Sequence, residues 1–145
     1  MPFKIPESVL VVIYTQHRDV LLLERADHPG FWQSVTGSRA SPDEPLAATC
    51  AREVREETLY AASNEDFEDW RLTNRYPIYP HWRHRYAEGV THNAEHVFGL
   101  VVTRFIPQLA AREHTAFVWL PWRDAADRCF SWTNAQAIRC LAVRA

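Results

Sequence analysis

The chain predicts an α/β/α sandwich built on one mixed β-sheet, and three observations carry that expectation. Ser8 to Tyr14 is an unbroken, β-branched apolar run, the pattern of a strand covered on both faces. A strand, a polar loop and an acidic helix follow one another between Phe31 and Leu59. Short strand-like runs then alternate with turn residues before two helical stretches close the chain.

Each element has a local reason. Val20 to Glu24 reads as a second strand, joined to the first by a turn over Thr15 to Asp19. Phe31 to Thr36 is a short β-rich segment, and Gly37 to Glu44 is the loop after it. Proline suits the first position of a helix, so the acidic helix is expected from Pro45 to Leu59. Phe67 to Tyr79, Arg83 to Tyr86, Glu95 to Val102 and Ala116 to Leu120 are the further expected strands, interrupted by Pro77, Pro80 and a loop at Gly89. Trp122 to Arg128 is expected as a short helix. Thr133 to Val143 is expected as a longer one, with Thr133 as its cap and Ala137, Ile138, Leu141 and Ala142 on its apolar side.

Composition narrows the class. With 145 residues and 47% hydrophobic content, residues 1–145 are expected to form one domain whose core needs no disulfide or structural metal. A net charge of -2 argues against a general nucleic-acid binder, which would show a basic excess. Cys50, Cys129 and Cys140 have no Cys-x-x-Cys spacing and cannot all pair, which favours a reducing compartment. Met1 to Lys4 leads directly into the first strand without a charged leader or long apolar run. The expectation is therefore a cytoplasmic protein with no membrane partner; its oligomeric state is left open.

Chemistry concentrates in Arg52-Glu53-Val54-Arg55-Glu56-Glu57. At helical spacing Glu53 and Glu57 stack one turn apart with Glu56 beside them, and like charges so placed repel. Acidic helical runs are usually solvated faces. Here, however, Ala47, Cys50, Ala51, Val54 and Thr58 form a buried-type stripe, so the carboxylates sit at the edge of a packed fold, where a divalent cation would collect their charge. Arg52 lies four residues before Glu56, close enough to hold it. No Ser-His-Asp or Cys-His arrangement offers a protein nucleophile. His81 and His84 lack the further ligands that a zinc site needs.

With its loop, this helix resembles the signature of the Nudix hydrolases: Gly, five residues, Glu, seven residues, Arg-Glu, an aliphatic residue, any residue, Glu-Glu, any residue, Gly and an aliphatic residue. Glu44 and Arg52 to Glu57 match it. Six residues rather than five separate Gly37 from Glu44, so either the loop is one residue longer or Asp43 takes the glutamate's place. Leu59 and Tyr60 stand where the signature has Gly and an aliphatic residue. Within the family, Phe31 to Ser38, His84 to Ala87 with Gly89 to Thr91 and Asn93, Glu113-His114 and Gln136 to Ile138 look like the bacterial dihydroneopterin triphosphate pyrophosphatases.

The resemblance implies a Nudix-type sandwich and a pyrophosphohydrolase of folate biosynthesis that cuts a pterin triphosphate to the monophosphate and pyrophosphate. Water attacks phosphorus with Mg2+, or Mn2+ in its place, as cofactor. It implies Glu53, Glu56, Glu57, Glu113 and the Gly37 carbonyl as metal ligands, with Arg52, Glu53, Glu56 and Glu113 in the catalytic set. Glu113 enters as a ligand or as the base. Lys4, Arg25, Thr36, Tyr76, Pro77, Ile78, Tyr79 and Ser131 are the implied substrate contacts. Trp32, Trp82, Tyr86 and Trp132 add possible stacking surfaces. Two other readings stay open: a Nudix enzyme for another nucleoside triphosphate, and a catalytically silent Nudix-fold module. Clustered, repelling carboxylates argue against the silent module.

Overall fold

The central strand decides the architecture. In the computed structural model, which describes residues 3–144, β1 (Glu7–Tyr14) is buried along almost its whole length, and its side chains alternate between two apolar clusters. Leu10, Val12 and Tyr14 face one cluster; Val9, Val11 and Ile13 face the other. Each such side chain contributes about 1.5–3 kcal/mol when fully buried. A strand with two apolar faces is stable only between two layers, and helices supply both.

β1 runs parallel to β6 (His92–Val101) from Glu7↔Ala94 to Tyr14↔Val101. Its other edge is shared. β4 (Val35–Ser38) pairs antiparallel with the first half of β1, and β2 (Asp19–Arg25) meets it only at Tyr14↔Val20. β2 then pairs antiparallel with β7 (His114–Pro121) and with the two-residue β3 (Trp32–Gln33), while β5 (Glu68–Pro77) pairs antiparallel with β6. Helix α1 (Leu46–Thr58) covers one face through Cys50 and Val54. Helices α2 (Trp122–Arg128) and α3 (Trp132–Arg139) cover the other through Ala125, Ala126, Ala137 and Ile138. The α/β/α sandwich with a mixed sheet is therefore the observed fold.

Several boundaries differ from expectation, each for a local reason. Pro45 caps α1 in an extended conformation rather than starting it, and Leu59 ends the helix at φ 65°. Leu59 stands where the signature has Gly, and it adopts the left-handed conformation that glycine enters without strain. The expected strand at Arg83 to Tyr86 is instead part of a 3-10 helix over Pro80–Arg85, because Pro80 opens a helical turn in which Trp82 N donates to Tyr79 O at 2.9 Å. β5 stops at Pro77 and β6 begins at His92, where the two strands pair. The final helix starts earlier than expected. Ser131, not Thr133, is its cap, accepting from Asn134 N at 3.4 Å, and regular helix ends at Arg139 before a 3-10 turn over Cys140–Ala142. Among the described residues, no helix is long and apolar enough to cross a membrane.

Candidate active site

The loop between β4 and α1 is organised by one arginine. Arg52 donates from Nε and Nη2 to the two oxygens of Glu44, both at 3.0 Å, from Nη2 also to Ser38 O at 2.9 Å, and from Nη1 to Glu53 Oε2 at 2.7 Å. Glu56, the partner expected for it, is only 3.6 Å away and half exposed. Glu44 also accepts from Ala40 N at 2.9 Å and Thr49 Oγ1 at 2.7 Å. Arg52 first, with those donors, holds the Glu44 carboxyl down at about 2. Glu44 thus takes the signature glutamate's place, and Asp43 does not. The additional loop residue is accommodated because Arg39 ties the loop down, donating to Pro42 O at 2.9 Å and to Glu44 O at 2.8 Å.

Gly37 is required by a close approach. A Cβ there would lie 2.0 Å from Glu53 Cδ, so the absent side chain is what lets the Glu53 carboxyl lie against the loop. Glu57 is 2% exposed, and its Oε1 makes no hydrogen bond. Burial first, and then the Glu53 charge, push the Glu57 carboxyl well up; burial likewise raises Glu53. One ligand atom from each of Glu57, Glu113 and His114 falls within a 4.8 Å group. Glu113 reaches this place because the loop before β7 is pinned, Ala26 N donating to Glu113 O at 2.8 Å.

Sequence reasoning singled out neither Gln33 nor His114 as site residues, yet both support this corner. Arg25 Nη1 donates to Gln33 Oε1 at 3.2 Å, which leaves the Gln33 amide nitrogen as donor to His114 Nε2 at 3.1 Å. Burial first, then Arg25, hold His114 down at about 4, so its ring is neutral at pH 7. A neutral ring accepting at Nε2 carries its proton on Nδ1, which faces Glu57 Oε1 at 3.8 Å. The signal was the adjacency of Glu113 and His114; only the β2–β7 register, Arg25↔His114, shows what the histidine faces.

Beside the carboxylates opens a cavity of about 490 Å3, within the range of small-molecule sites. Lys4, Arg25, Thr36, Gly37, Tyr76, Pro77, Ile78, Tyr79 and Ser131, brought from five separate stretches of chain, all line it. Arg25 is steered by Trp82, whose ring it covers at 4.8 Å, and by Asp27 at 2.8 Å. Tyr86 and Trp132 also line the cavity, whereas Trp32 packs against the core on the α2–α3 side. Glu53, Glu57 and Glu113 offer carboxylate oxygens, that of Glu57 unpartnered, of the hard kind a divalent cation takes, and Gly37 lies against Glu53. Glu56 stays on the outer side, against Arg52.

The NUDIX domain family model matches residues 4–140. The chain is 42% identical to the dihydroneopterin triphosphate diphosphatase of Escherichia coli K12 across 99% of its own length and 96% of that protein. It is 41% identical to the Haemophilus influenzae enzyme of the same name, over 96% of this chain and 89% of that one. The solved E. coli dihydroneopterin triphosphate pyrophosphohydrolase superposes with a TM-score of 0.86, with both chains fully covered and 41% identity. Its loop, acidic helix, fold and whole-length likeness to these enzymes place this chain in the NUDIX family.

Proposed function

We propose that the chain, working as one catalytic domain over residues 1–145, hydrolyses dihydroneopterin triphosphate to dihydroneopterin monophosphate and pyrophosphate. The observation that carries this is the junction of a cation-lined cavity with a buried, metal-ready carboxylate group, in a chain 42% identical to an enzyme of that name. Glu53, Glu57 and the Gly37 carbonyl would hold Mg2+, or Mn2+ in its place, with Glu56 as an outer auxiliary. Such a cation supplies charge neutralisation and a Lewis acid for the phosphoryl oxygens. The protein's own groups do the rest. Arg52 keeps Glu53 in position, and Gln33 orients His114 so that its Nδ1 faces Glu57. Lys4 and Arg25 neutralise the phosphate chain, while Thr36, Ser131 and the Tyr76 to Tyr79 segment bind the ring and its side chain.

Water attacks one of the two phosphorus atoms flanking the scissile bridge. A P–O bond forms, the anhydride bond breaks with its bridging oxygen staying on the phosphorus not attacked, and monophosphate and pyrophosphate result. Glu113, the exposed member of the acidic group, takes the proton from that water. The three free cysteines suit the reducing cytoplasm.

The test offers the purified protein dihydroneopterin triphosphate and the common nucleoside triphosphates with Mg2+, and measures pyrophosphate against orthophosphate. Pyrophosphate release with a preference for the pterin is expected. Glu57→Gln should lower the rate by more than about 100-fold, beyond the loss of an outer-shell partner. A strong preference for a nucleotide would sink the pterin assignment, and full activity in the variant would remove the metal site.

A further inference from the structure

The wall of the cavity formed by β6 carries groups that the phosphate chemistry does not use. Glu95 lines the cavity and is 4% exposed. Its Oε2 accepts from the Tyr76 hydroxyl at a long 3.4 Å, and its Oε1 has no hydrogen-bond partner. Asn93, two positions earlier on the same face of the strand, is 3% exposed. Its Nδ2 donates to Ser8 Oγ at 2.7 Å and to Tyr76 Oη at 3.2 Å, which leaves Oδ1 unpartnered.

Two buried acceptors therefore border one cavity without a hydrogen between them. A buried polar atom left unpaired costs about 1–3 kcal/mol, and more when it belongs to a charged group. Asn74 Nδ2, across the strand pair from Glu95, is also unpartnered. Asn74 does not line the cavity; the Thr133 hydroxyl does, and it is already engaged with Ser131 Oγ at 2.8 Å. Burial pushes the Glu95 carboxyl up to about 7, with Thr133, Tyr76 and Asn74 pulling it only partly back. The protein's own donors thus hold this charge poorly, and a ligand bearing further donors would hold it well.

We propose that Glu95, with Asn93 beside it, reads the 2-amino-4-oxopyrimidine edge of the substrate ring, accepting hydrogen bonds from the amino group and the adjacent ring N–H. This rests on the pterin reading for the identity of the ring, although guanine carries the same edge. The fit is one of donor and acceptor count. A ring N–H and a neighbouring NH2 form a two-donor fork, the complement of a carboxylate oxygen beside an amide oxygen. Adenine turns a ring acceptor toward the same place, and hypoxanthine lacks the amino group. Either would leave a buried acceptor unpaired, which is how polar sites reject near-isosteres.

Three measurements on wild type and Glu95→Gln test this. They are calorimetric binding of unphosphorylated 7,8-dihydroneopterin, kcat and KM for dihydroneopterin triphosphate, and the ratio of kcat/KM for GTP over ITP, which differ only in the 2-amino group. The variant should bind 7,8-dihydroneopterin about 10–100-fold more weakly and show a raised KM with kcat little changed. Wild type should favour GTP over ITP by about 10-fold or more, and the variant should lose that preference. Unchanged 7,8-dihydroneopterin binding, a retained GTP preference, or equal losses on GTP and ITP would each overturn the proposal. If the variant does not fold, the wild-type GTP to ITP ratio decides alone, a value near one overturning it. A wild type that discriminates against ITP but prefers GTP to the pterin would support the role of Glu95 and overturn the substrate reading.

Discussion

At the scale of single residues, Glu44 shows how one carboxylate can hold a loop through its charge. Its folded pKa of about 2 lies below the ordinary 4.5, so the folded state favours the ionised form. The resulting stabilisation is fully present above 4.5 and is lost as pH falls from there through about 2. Arg52 is 31% exposed, so solvent screens part of the attraction. Glu44→Gln should then cost on the order of 1–2 kcal/mol at pH 7. Urea unfolding at pH 7 and again near pH 3 checks the sign: the gap between wild type and variant should narrow in acid. A constant gap would mean that side-chain shape, not charge, is what the loop uses. The Nudix-like motif pointed to Arg52 and to Glu44 eight positions before it, with Asp43 left as the alternative that the Arg52 contacts to Glu44 then removed. Glu95, Asn93, Gln33 and His114 were not legible in that way. Each is an ordinary strand residue until the β5–β6 and β2–β7 registers set it opposite its partners.

At the scale of elements, α1 and β1 were readable because their periods are local: 3.6 residues for the helix, and a doubly apolar run for the strand. The stretch from Pro80 to Arg85 was not, since aromatic and basic residues suit a strand as well as a 3-10 turn, and the preceding proline settled the matter. Leu59 is the instructive departure. It holds φ at 65°, costly for a side chain with a Cβ, while that side chain is 58% exposed and gains little from burial. Leu59→Gly should remove the strain and restore the signature residue. Glycine also loosens the unfolded chain, so a net gain of about 0.5–1 kcal/mol is expected. Thermal unfolding would register this as a rise of roughly 2–4 °C, with the hydrolytic rate unchanged. A fall in melting temperature would show that Leu59 packs more productively than its exposure implies.

At the scale of the whole molecule, folding draws acidic groups together against their own repulsion. The apolar cluster on one face of β1 fixes α1 where it stands, and α1 in turn brings Glu53 to the loop and Glu57 to Glu113. Burial raises both helix carboxyls, and the Glu53 charge raises Glu57 further, which marks the site as a local cost that the rest of the fold absorbs. A divalent cation that binds this arrangement and not the unfolded chain would stabilise the fold by mass action. At 100 times its dissociation constant the gain is about 2.7 kcal/mol, or roughly 6–10 °C for a domain of this size. Melting in Mg2+ should therefore exceed melting in chelator by that order, saturably, with sodium chloride at matched ionic strength giving much less. Glu57→Gln reverses the bookkeeping. Without metal its melting temperature should equal or exceed that of wild type, because a buried charge is gone, while most of the Mg2+ increment disappears. If the variant kept the full increment, the cation would be stabilising some other part of the surface, and the buried carboxylates would have to be explained without it.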